Sequence, residues 1–454
     1  MKIHFIAIGG SAMHNLAIAL HLKGYSITGS DDNIFEPSKS RLEKFGLLPK
    51  EFGWFPSKIS SKLDFVILGM HAKEDNPELL ESKNQNIKTV SYPEFIYEMS
   101  KDKTRVVIGG SHGKTSITAM ILHVLQKCNK NVDFMVGAQV DGFETMVHLT
   151  ENNDFIVLEG DEYLSSPIDR RPKFHLYQAN IALISGISWD HINVFPTKEN
   201  YINQFEKFID TIIPGGVLVY NSLDSEVEKI SIQSQKSIRK LDYSIPDHII
   251  KNGKTFLITD EGEIPLNIFG DHNLSNLSGA KLVCQLIGIH DEDFYNSIVS
   301  FKGADKRLEI ILNMNDRNVF KDFAHSPSKV IAATNAIKKQ FKRRKLIALL
   351  ELHTFSSLNE NFINEYKDSL KSADLAILFY DPNAVLNKGL NEINKEKIKS
   401  AFNDSNLKVF SDSNKLQDFL LEQSYSYSNL LFMSSGNYAS INLNFLINQI
   451  KESE

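Results

Sequence analysis

The sequence predicts an α/β protein with three domains. Apolar runs of strand length alternate with stretches of helical spacing along most of the chain. The length of 454 residues fits three domains of about 150 residues each. Glycine turns follow the apolar runs at residues 3–8 and 106–108, which is typical of strand–turn–helix units that bind nucleotides. We therefore expect a Rossmann-like domain at residues 1–102, a central α/β domain with a P-loop at 103–306, and a Rossmann-like domain at 307–454.

The composition is that of an ordinary globular chain, with 42% hydrophobic and 23% charged residues. The net charge of -6 gives no reason to expect a nucleic-acid partner. No apolar run is long enough to span a bilayer, and the apolar start at residues 3–8 stops at Gly9 without a signal-peptide cleavage site. Cys128 and Cys284 lie in apolar, helix-like contexts and are expected to be buried free thiols. We expect a cytoplasmic protein without a membrane partner, and its oligomeric state is open.

The first domain opens with a strand, a glycine turn and a helix. The turn that follows the apolar run is Gly9-Gly10-Ser11-Ala12-Met13. A second strand begins at Ser26 and leads to Asp31, which is placed to meet a ribose hydroxyl. The third glycine of the dinucleotide fingerprint is missing, so NAD, a UDP-sugar or no ligand at all fits this turn. The alternative for Asp31 is an exposed turn carboxylate.

The second glycine turn predicts a phosphate-binding loop between a strand and a helix. Its sequence is Gly110-Ser111-His112-Gly113-Lys114-Thr115-Ser116. Backbone N–H groups of such a loop surround phosphates, Lys114 reaches their oxygens, and the Thr115 hydroxyl can bind Mg²⁺. The usual pattern has a glycine where this chain has Ile108, which weakens a generic kinase or GTPase interpretation. A simple strand-to-helix turn that contains Gly and Lys is the alternative.

Two further strands of this domain end in residues suited to chemistry. The buried run at residues 155–158 ends at Glu159, where a second Mg²⁺ ligand is needed. Ile181–Ile184 is the next strand, and His191 follows it at the same predicted sheet edge. A solvated acidic loop is the alternative for Glu159. The alternative for His191 is a histidine that is packed or solvated and has no catalytic role.

The rest of the chain is less informative. Residues 222–269 show a short, mixed pattern that predicts no clear element. Asn273 and Asn276 lie on one face of a helix, where their amides could contact an adenine or cap the helix. Strands continue to alternate with helices in the last third. The basic run at 338–345 is expected to be a solvated helix end rather than a nucleic-acid contact.

These segments, taken in order, resemble the Mur ligase family of ATP-dependent, amide-forming enzymes of peptidoglycan synthesis. The resemblance covers nearly the whole length of the chain. The matching segments are 9–13, 110–115, 159–162, Asp190-His191, 272–276, Arg307-Leu308-Glu309 and 322–327. The resemblance implies a central P-loop ATPase domain between two Rossmann-like domains. The three domains would bind a UDP-sugar, ATP and the incoming amino compound, in that order.

The resemblance also implies the site residues. The UDP-sugar would be bound by Gly10, Ser11, Ala12, Met13, Asp31 and His71. ATP would be bound by Gly110, Ser111, His112, Gly113, Lys114, Thr115, Ser116, Asn273, Asn276, Arg307 and Asp322. Mg²⁺ would be held by Thr115, Glu159 and His191, and the catalytic residues would be Lys114, His191 and Arg307. The peptide substrate would be contacted by Arg170, Arg171, His325, His353, Ser435 and Asn437.

The implied first substrate is UDP-N-acetylmuramate, and the second depends on the branch of the family. The segments at 161–163, 169–174 and 433–437 resemble the branch that adds the tripeptide L-alanyl-γ-D-glutamyl-meso-diaminopimelate. The segment at 351–356 resembles the branch that adds L-alanine. Three positions depart from the family pattern. Asn193 replaces an acidic residue, Ser326 replaces a histidine, and Ser357 replaces a frequent arginine.

Other functions fit parts of the sequence. A folate-polyglutamate ligase shares the ATP and third domains but does not need the hundred residues before the P-loop. A nicotinamide-dependent oxidoreductase could use the first glycine turn but leaves Lys114, Glu159 and His191 unexplained. A non-catalytic UDP-sugar sensor is the third alternative, and ATP turnover coupled to amide formation would exclude it.

Overall fold

A computed structural model describes residues 1–137, 142–143, 145–305, 307–392 and 394–452. These residues form two compact units. The first unit comprises Met1–Ile187, Ile202–Tyr243 and Gly279–His290. The second unit comprises Ser188–Tyr201, Ser244–Ser278 and Asp291–Glu454. The domain limits at residues 102 and 306 stay a prediction.

The N-terminal sheet of the first unit is parallel throughout. Its elements are β1 Lys2–Ile6, α1 Ser11–Leu22, β2 Ser26–Ser30, α2 Ser38–Lys44, β3 Phe65–Leu68, α3 Pro77–Asn84, β4 Thr89–Ser91 and α4 Tyr92–Ser100. The strand order is β2-β1-β3-β4. The chain leaves β1 in one direction for β2 and crosses back for β3. The glycine turn after β1 therefore lies at the point where open α/β sheets bind ligands.

The second sheet of this unit holds the P-loop. Its elements are β5 Thr104–Gly109, α5 Lys114–Lys127, β6 Asp133–Met135, β7 Val147–His148, β8 Phe155–Gly160, α6 Lys173–Leu176, β9 Ile181–Ile184, α7 Lys198–Thr211, β10 Val217–Asn221, α8 Ser225–Gln233 and β11 Arg239–Tyr243. Residues 198–201 of α7 belong to the second unit. The order is β11-β10-β9-β5-β8-β6-β7, and only the β6–β7 pair among the described strands is antiparallel. Because β5 lies between β8 and β9, the segments that follow these three strands meet at one edge.

The second unit contains a small antiparallel sheet and a larger, mostly parallel one. Its elements are β12 His248–Lys251, β13 Lys254–Thr259, β14 Gly262–Leu266, α9 Asp271–Leu286, α10 Asp291–Ile298, β15 Glu309–Asn313, β16 Asn318–Asp322, α11 Pro327–Gln340, β17 Lys345–Leu352, β18 Leu375–Tyr380, α12 Pro382–Asn387, α13 Lys395–Phe402, β19 Lys408–Phe410, α14 Ser413–Leu421, β20 Ser428–Met433 and α15 Leu443–Glu452. Residues 279–286 of α9 belong to the first unit. The larger sheet has the order β15-β16-β20-β17-β18-β19, with β15 antiparallel to β16. Short 3₁₀ turns lie at Pro56–Lys58, Ile363–Tyr366 and Tyr438–Ser440.

The mixed α/β class predicted from the sequence is confirmed by these sheets. No helix in the described part of the chain is long and apolar enough to cross a membrane. Both cysteines are free thiols, with Cys284 buried as expected and Cys128 only half-buried. The basic run begins at the end of α11, where Lys338 and Lys339 form ion pairs with aspartates.

Candidate functional site

The phosphate loop needs glycine at two positions for steric reasons. Gly110 has a φ of +135°, and Gly113, which precedes α5, has a φ of +81°. Residues with a side chain rarely adopt either value. An added Cβ at Gly110 would lie 2.1 Å from the Ser185 Oγ. Ser111 N donates a hydrogen bond of 2.9 Å to the Gly186 carbonyl. The segment after β9 therefore supports the loop, and it closely approaches the His112 ring as well.

Lys114 of the phosphate loop is held by an acidic partner from the segment after β8. Its Nζ donates to Glu162 Oε2 and to the Gly110 carbonyl, each at 2.5 Å. Burial lowers the pKa of Lys114, but neighbouring carboxylates outweigh this effect and leave that pKa above its usual value. These carboxylates belong to Glu162, Asp161 and Glu159. The lysine is therefore an ammonium at neutral pH and can bind an anion.

Thr115 and Glu159 lie together, as the sequence predicts. The Thr115 hydroxyl donates to Glu159 Oε1 at 2.8 Å, and Gly137 N donates to Oε2 at 2.7 Å. A hydroxyl and a carboxylate are the oxygen donors that Mg²⁺ prefers, so these residues fit the ion. Within the described residues no cluster of three or more His, Cys, Asp or Glu side chains is arranged for a metal. The remaining ligands would be phosphate oxygens and water.

Three residues at this edge of the sheet were missed as site residues in the sequence analysis. Glu162 is the partner of Lys114, and Asp161 forms an ion pair with Lys173 at the start of α6. All three residues lay in segments that matched the family, at 159–162 and 169–174. The sequence does show more acidic residues at 159–162 than one P-loop lysine can pair with. Because a buried charge requires a partner, this excess could have predicted a second cation at the site.

The predicted UDP-sugar residues surround the turn after β1. Gly9 N donates to Asp31 Oδ2 at 2.7 Å, and burial raises the pKa of Asp31 above its usual value. Asp31 therefore binds the turn and is not the exposed carboxylate considered as its alternative. Ser11 and His71 are exposed at this sheet edge, and Gly10 and Ala12 are half-buried. Met13 is buried, which leaves its backbone for a ligand.

His191 belongs to the second unit, next to the buried Asp190. His191 N donates to Asp190 Oδ1 at 2.7 Å, and His191 itself has φ +55°. Ser356 Oγ donates to the same carboxylate oxygen at 3.3 Å. Burial raises the pKa of Asp190, but the charges of His191, Lys329 and His325 outweigh it and lower that pKa. The carboxylate therefore stays ionised and fixes the backbone that carries His191.

Asp322 and Arg307 lie on either side of one turn in the second unit. Asp322 accepts hydrogen bonds from Leu308 N at 2.7 Å and from Ala324 N at 2.6 Å. The Arg307 guanidinium lies 4.7 Å from the Phe323 ring centroid. Asp322 thus fixes the backbone at Leu308, next to Arg307, and at Ala324, just after β16. Its contact with a ribose, and that of Arg307 with a phosphoryl group, stay predictions.

Asn273 and Arg171 each contact another protein group. Asn273 and Asn276 are both buried, and Asn273 Nδ2 donates to the Phe269 carbonyl at 3.0 Å. Their contact with adenine stays a prediction. Arg170 is exposed, and Arg171 forms an ion pair of 2.6 Å with Asp169.

Four of the predicted peptide-binding residues lie in the second unit. His325 Nδ1 donates to the Phe323 carbonyl at 2.7 Å. Ser435 and Asn437 line a cavity of about 390 Å³ beside the ends of β16 and β20. An added Cβ at Gly436 would lie 2.8 Å from the His353 Cγ, which shows how closely that ring packs on the segment after β20.

The hydroxyls in this region differ in their availability. The Ser435 Oγ is buried without a hydrogen-bond partner among the described residues. Ser357 is fully buried and bonds to Thr354, so it cannot replace an arginine at a substrate.

Comparison with known proteins identifies the family. Residues 2–104 match the description "Mur ligase family, catalytic domain", residues 108–284 match "Mur ligase middle domain", and residues 306–436 match "Mur ligase, glutamate ligase domain". The UDP-N-acetylmuramate–L-alanine ligase of Sulfurihydrogenibium sp. is 30% identical over 384 residues, which cover 83% of this chain and 82% of that protein. The chain belongs to the Mur ligase family. This Mur ligase is therefore an ATP-dependent ligase that forms carbon–nitrogen bonds, as its sequence predicted.

Two further relatives resemble this Mur ligase over its full length. The UDP-N-acetylmuramate–L-alanyl-γ-D-glutamyl-meso-2,6-diaminoheptandioate ligase of Escherichia coli K12 is 27% identical over 470 residues, covering 100% of this chain and 99% of that protein. The crystal structure of a murein peptide ligase from Psychrobacter arcticus superposes with a TM-score of 0.66 at 22% identity, covering 100% of this chain and 99% of that one. The three-domain α/β fold is thereby confirmed.

Proposed function

We propose that this Mur ligase joins UDP-N-acetylmuramate to the tripeptide L-alanyl-γ-D-glutamyl-meso-diaminopimelate and converts ATP to ADP and phosphate. The observation that carries the proposal is the end-to-end similarity to the E. coli ligase of that name. The alanine ligase from Sulfurihydrogenibium matches only 83% of this chain. The product would place the enzyme in the recycling of peptidoglycan fragments.

The proposed chemistry has two steps. A lactyl carboxylate oxygen of UDP-N-acetylmuramate attacks the γ-phosphorus of ATP, so that ADP leaves and an acyl phosphate forms. The peptide amine then attacks the acyl carbon, phosphate leaves and the nitrogen loses its proton. A carboxylate alone is too unreactive toward an amine, so phosphorylation supplies the driving force. The protein contributes positioning and charge neutralisation.

Each predicted site residue has a role in this scheme. Lys114 neutralises the β- and γ-phosphates, and Thr115 and Glu159 hold Mg²⁺, which withdraws charge from the phosphate oxygens when bound. His191 is the proposed ligand of a second Mg²⁺. The remaining ATP contacts are the loop residues around Lys114, the amides of Asn273 and Asn276, Arg307 and Asp322. The UDP contacts are Gly10, Ser11, Ala12, Met13, Asp31 and His71.

The cavity beside β16 and β20 is the proposed position of the amine substrate in the second unit. Its volume of about 390 Å³ lies within the range of small-molecule sites. Ser435 and Asn437 supply a hydroxyl and an amide, and Lys321 supplies a cation for a substrate carboxylate. His325 follows β16 and His353 follows β17, the strands on either side of β20. Arg170 and Arg171 are further candidates in the first unit.

L-alanine is the second candidate for the amine substrate. The relative with 30% identity carries an L-alanine ligase name, and the segment at residues 351–356 resembles that branch. Both candidates share UDP-N-acetylmuramate, ATP and the same chemistry, so only the product distinguishes them.

Mass spectrometry of the products tests the proposal directly. Purified protein would receive Mg-ATP and UDP-N-acetylmuramate, with the tripeptide in one reaction and L-alanine in another. We expect a UDP-muramoyl-tripeptide in the first reaction only, with matched reactions lacking ATP as the control. A product with L-alanine alone would establish the second candidate, and no product in either reaction would rule out both substrates.

Replacement of Glu159 by glutamine is expected to raise the Mg²⁺ concentration needed for half-maximal activity by about tenfold or more. The amide keeps the shape of the side chain but loses the negative charge that attracts the cation. The measurement is phosphate release against Mg²⁺ concentration. Glu151→Gln is the matched control, because the Glu151 side chain is 77% exposed. An unchanged Mg²⁺ requirement in Glu159→Gln would remove this residue from the metal site.

A further inference from the structure

A second lysine lies partly enclosed beside the phosphate loop. The Lys173 side chain is 14% exposed, and its Nζ hydrogen-bonds the Asp161 carboxylate. The same Nζ lies 5.6 Å from the Tyr92 ring centroid and 6.0 Å from the Tyr163 ring centroid. One carboxylate and two aromatic rings therefore surround this ammonium, an arrangement that favours a fixed cation.

Backbone hydrogen bonds hold Lys173 and Asp161 next to each other. Lys173 N donates to the Tyr163 carbonyl at 3.0 Å, and Phe174 N donates to the Asp161 carbonyl at 3.2 Å. An antiparallel bridge between Leu164 and Pro172 continues the same contact. The start of α6 thus runs beside the acidic segment, so the ion pair depends on more than the two side chains.

The Asp161 carboxylate acts on both lysines of the site. Burial lowers the pKa of Lys173 and of Lys114, and the charge of Asp161 opposes this effect in each case. Glu159, Asp161 and Glu162 supply three negative charges here, against the two positive charges of the lysines. The phosphates of a nucleotide would add to that excess of negative charge, because poorly solvated charges interact strongly.

We propose that Lys173 is a positioning residue for the nucleotide, which neutralises Asp161 and keeps it from competing with phosphate for Lys114. Glu162 is then the one carboxylate that hydrogen-bonds Lys114 and has to be exchanged for phosphate when the nucleotide enters. The inference rests on the proposed function, because it concerns the ATP site of that reaction. It assigns a role to a residue outside the loop and outside the metal ligands.

Calorimetric binding of Mg-ADP to the full-length protein tests this role. We expect Lys173→Met to raise the Kd for Mg-ADP by about tenfold, because Asp161 loses its cation. Lys173→Arg keeps the charge and should stay within about threefold of the wild-type Kd. The double variant Lys173→Met/Asp161→Asn should return to within about threefold of wild type, since the uncompensated carboxylate is gone. The KM for ATP should follow the same order, with kcat changing less.

Several outcomes would overturn the proposal. One is a Kd for Mg-ADP in Lys173→Met that equals the wild-type Kd. Another is a Kd in the double variant that is as high as in Lys173→Met, because Lys173 would then act through packing and not through the charge of Asp161. If Lys173→Met does not fold, Asp161→Asn alone decides. We expect Asp161→Asn to leave the Kd within about threefold of wild type or to lower it, and a larger rise would overturn the proposal by placing Asp161 itself on the nucleotide. Failure of wild-type protein to bind Mg-ADP would instead contradict the proposed function.

Discussion

Replacement of Lys114 by methionine is expected to lower kcat by about 10²–10³-fold, the usual cost of removing one preorganised electrostatic donor. Methionine keeps most of the apolar stem but has no ammonium to place against the transferring phosphoryl group. The relevant geometry is the Nζ held at 2.5 Å from both the Gly110 carbonyl and Glu162. The measurement is steady-state phosphate release with saturating substrates.

Lys127→Met is the matched control, because Lys127 ends the same helix and is exposed. It should retain wild-type kcat. Lys114→Met also leaves Glu162, whose side chain is 3% exposed, without a cation, so thermal melting must show that the variant is folded. Near-full turnover by folded Lys114→Met would contradict the assignment of the phosphate loop.

Replacement of Glu78 by leucine is expected to lower the free energy of unfolding by about 3–5 kcal/mol, because it removes the carboxylate to which two buried groups hydrogen-bond. Glu78 and His4 are both fully buried, with Oε2 at 3.2 Å from His4 Nε2. Oε1 also accepts a hydrogen bond of 2.7 Å from Phe55 N. Leucine would leave both donors unsatisfied beneath the first sheet. Urea unfolding at neutral pH measures the loss.

The same carboxylate predicts a pH dependence of stability. Burial raises the pKa of Glu78, but the hydrogen bond and charge of His4 outweigh it and hold that pKa below its usual value. A lowered pKa in the folded state contributes stability above the unfolded-state pKa, and this contribution is lost as pH falls through the folded-state pKa. Glu78→Gln, which keeps an acceptor for Phe55 N, should lose less at neutral pH than the leucine variant. If the free energies of unfolding of wild type and Glu78→Leu fell in parallel as the pH is lowered, Glu78 would not be the source of this pH dependence.

The parallel sheets could be predicted because their central strands are buried on both faces. Such strands appear in the sequence as continuous apolar runs, as in β5 and β9. The antiparallel strands β12–β14 could not be predicted from residues 222–269. These strands are four to six residues long, and their burial patterns differ: β12 alternates between partly buried and exposed residues, β13 also contains buried residues, and β14 does not alternate. Tertiary contacts decide such strands, as when Thr255 Oγ1 donates to Gln340 at 3.0 Å.

In the site, too, contacts that follow from strand order could be predicted, whereas contacts that depend on tertiary folding could not. The Thr115–Glu159 contact follows from the rule that neighbouring parallel strands end at one edge. The Asp161–Lys173 pair was missed because it depends on how the chain folds back between these residues. The burial of Ser357 was equally invisible in the sequence. The roles of His191, Arg307 and the UDP-binding residues stay predictions.

The close approach of Ser185 to Gly110 has a consequence for the thermodynamics of ligand binding. The curved shape of the loop is set by contacts within the protein, from Ser185 and Gly186 at the strand end beside it. Nucleotide binding therefore does not have to order the backbone, and little conformational entropy is lost at this step. Positions 110 and 185 also form a coupled pair in any mutational library. A larger residue at position 110 requires a smaller one at position 185, and the φ of +135° limits even that exchange. A larger residue at position 185 cannot be compensated in this way, because Gly110 has no side chain to lose.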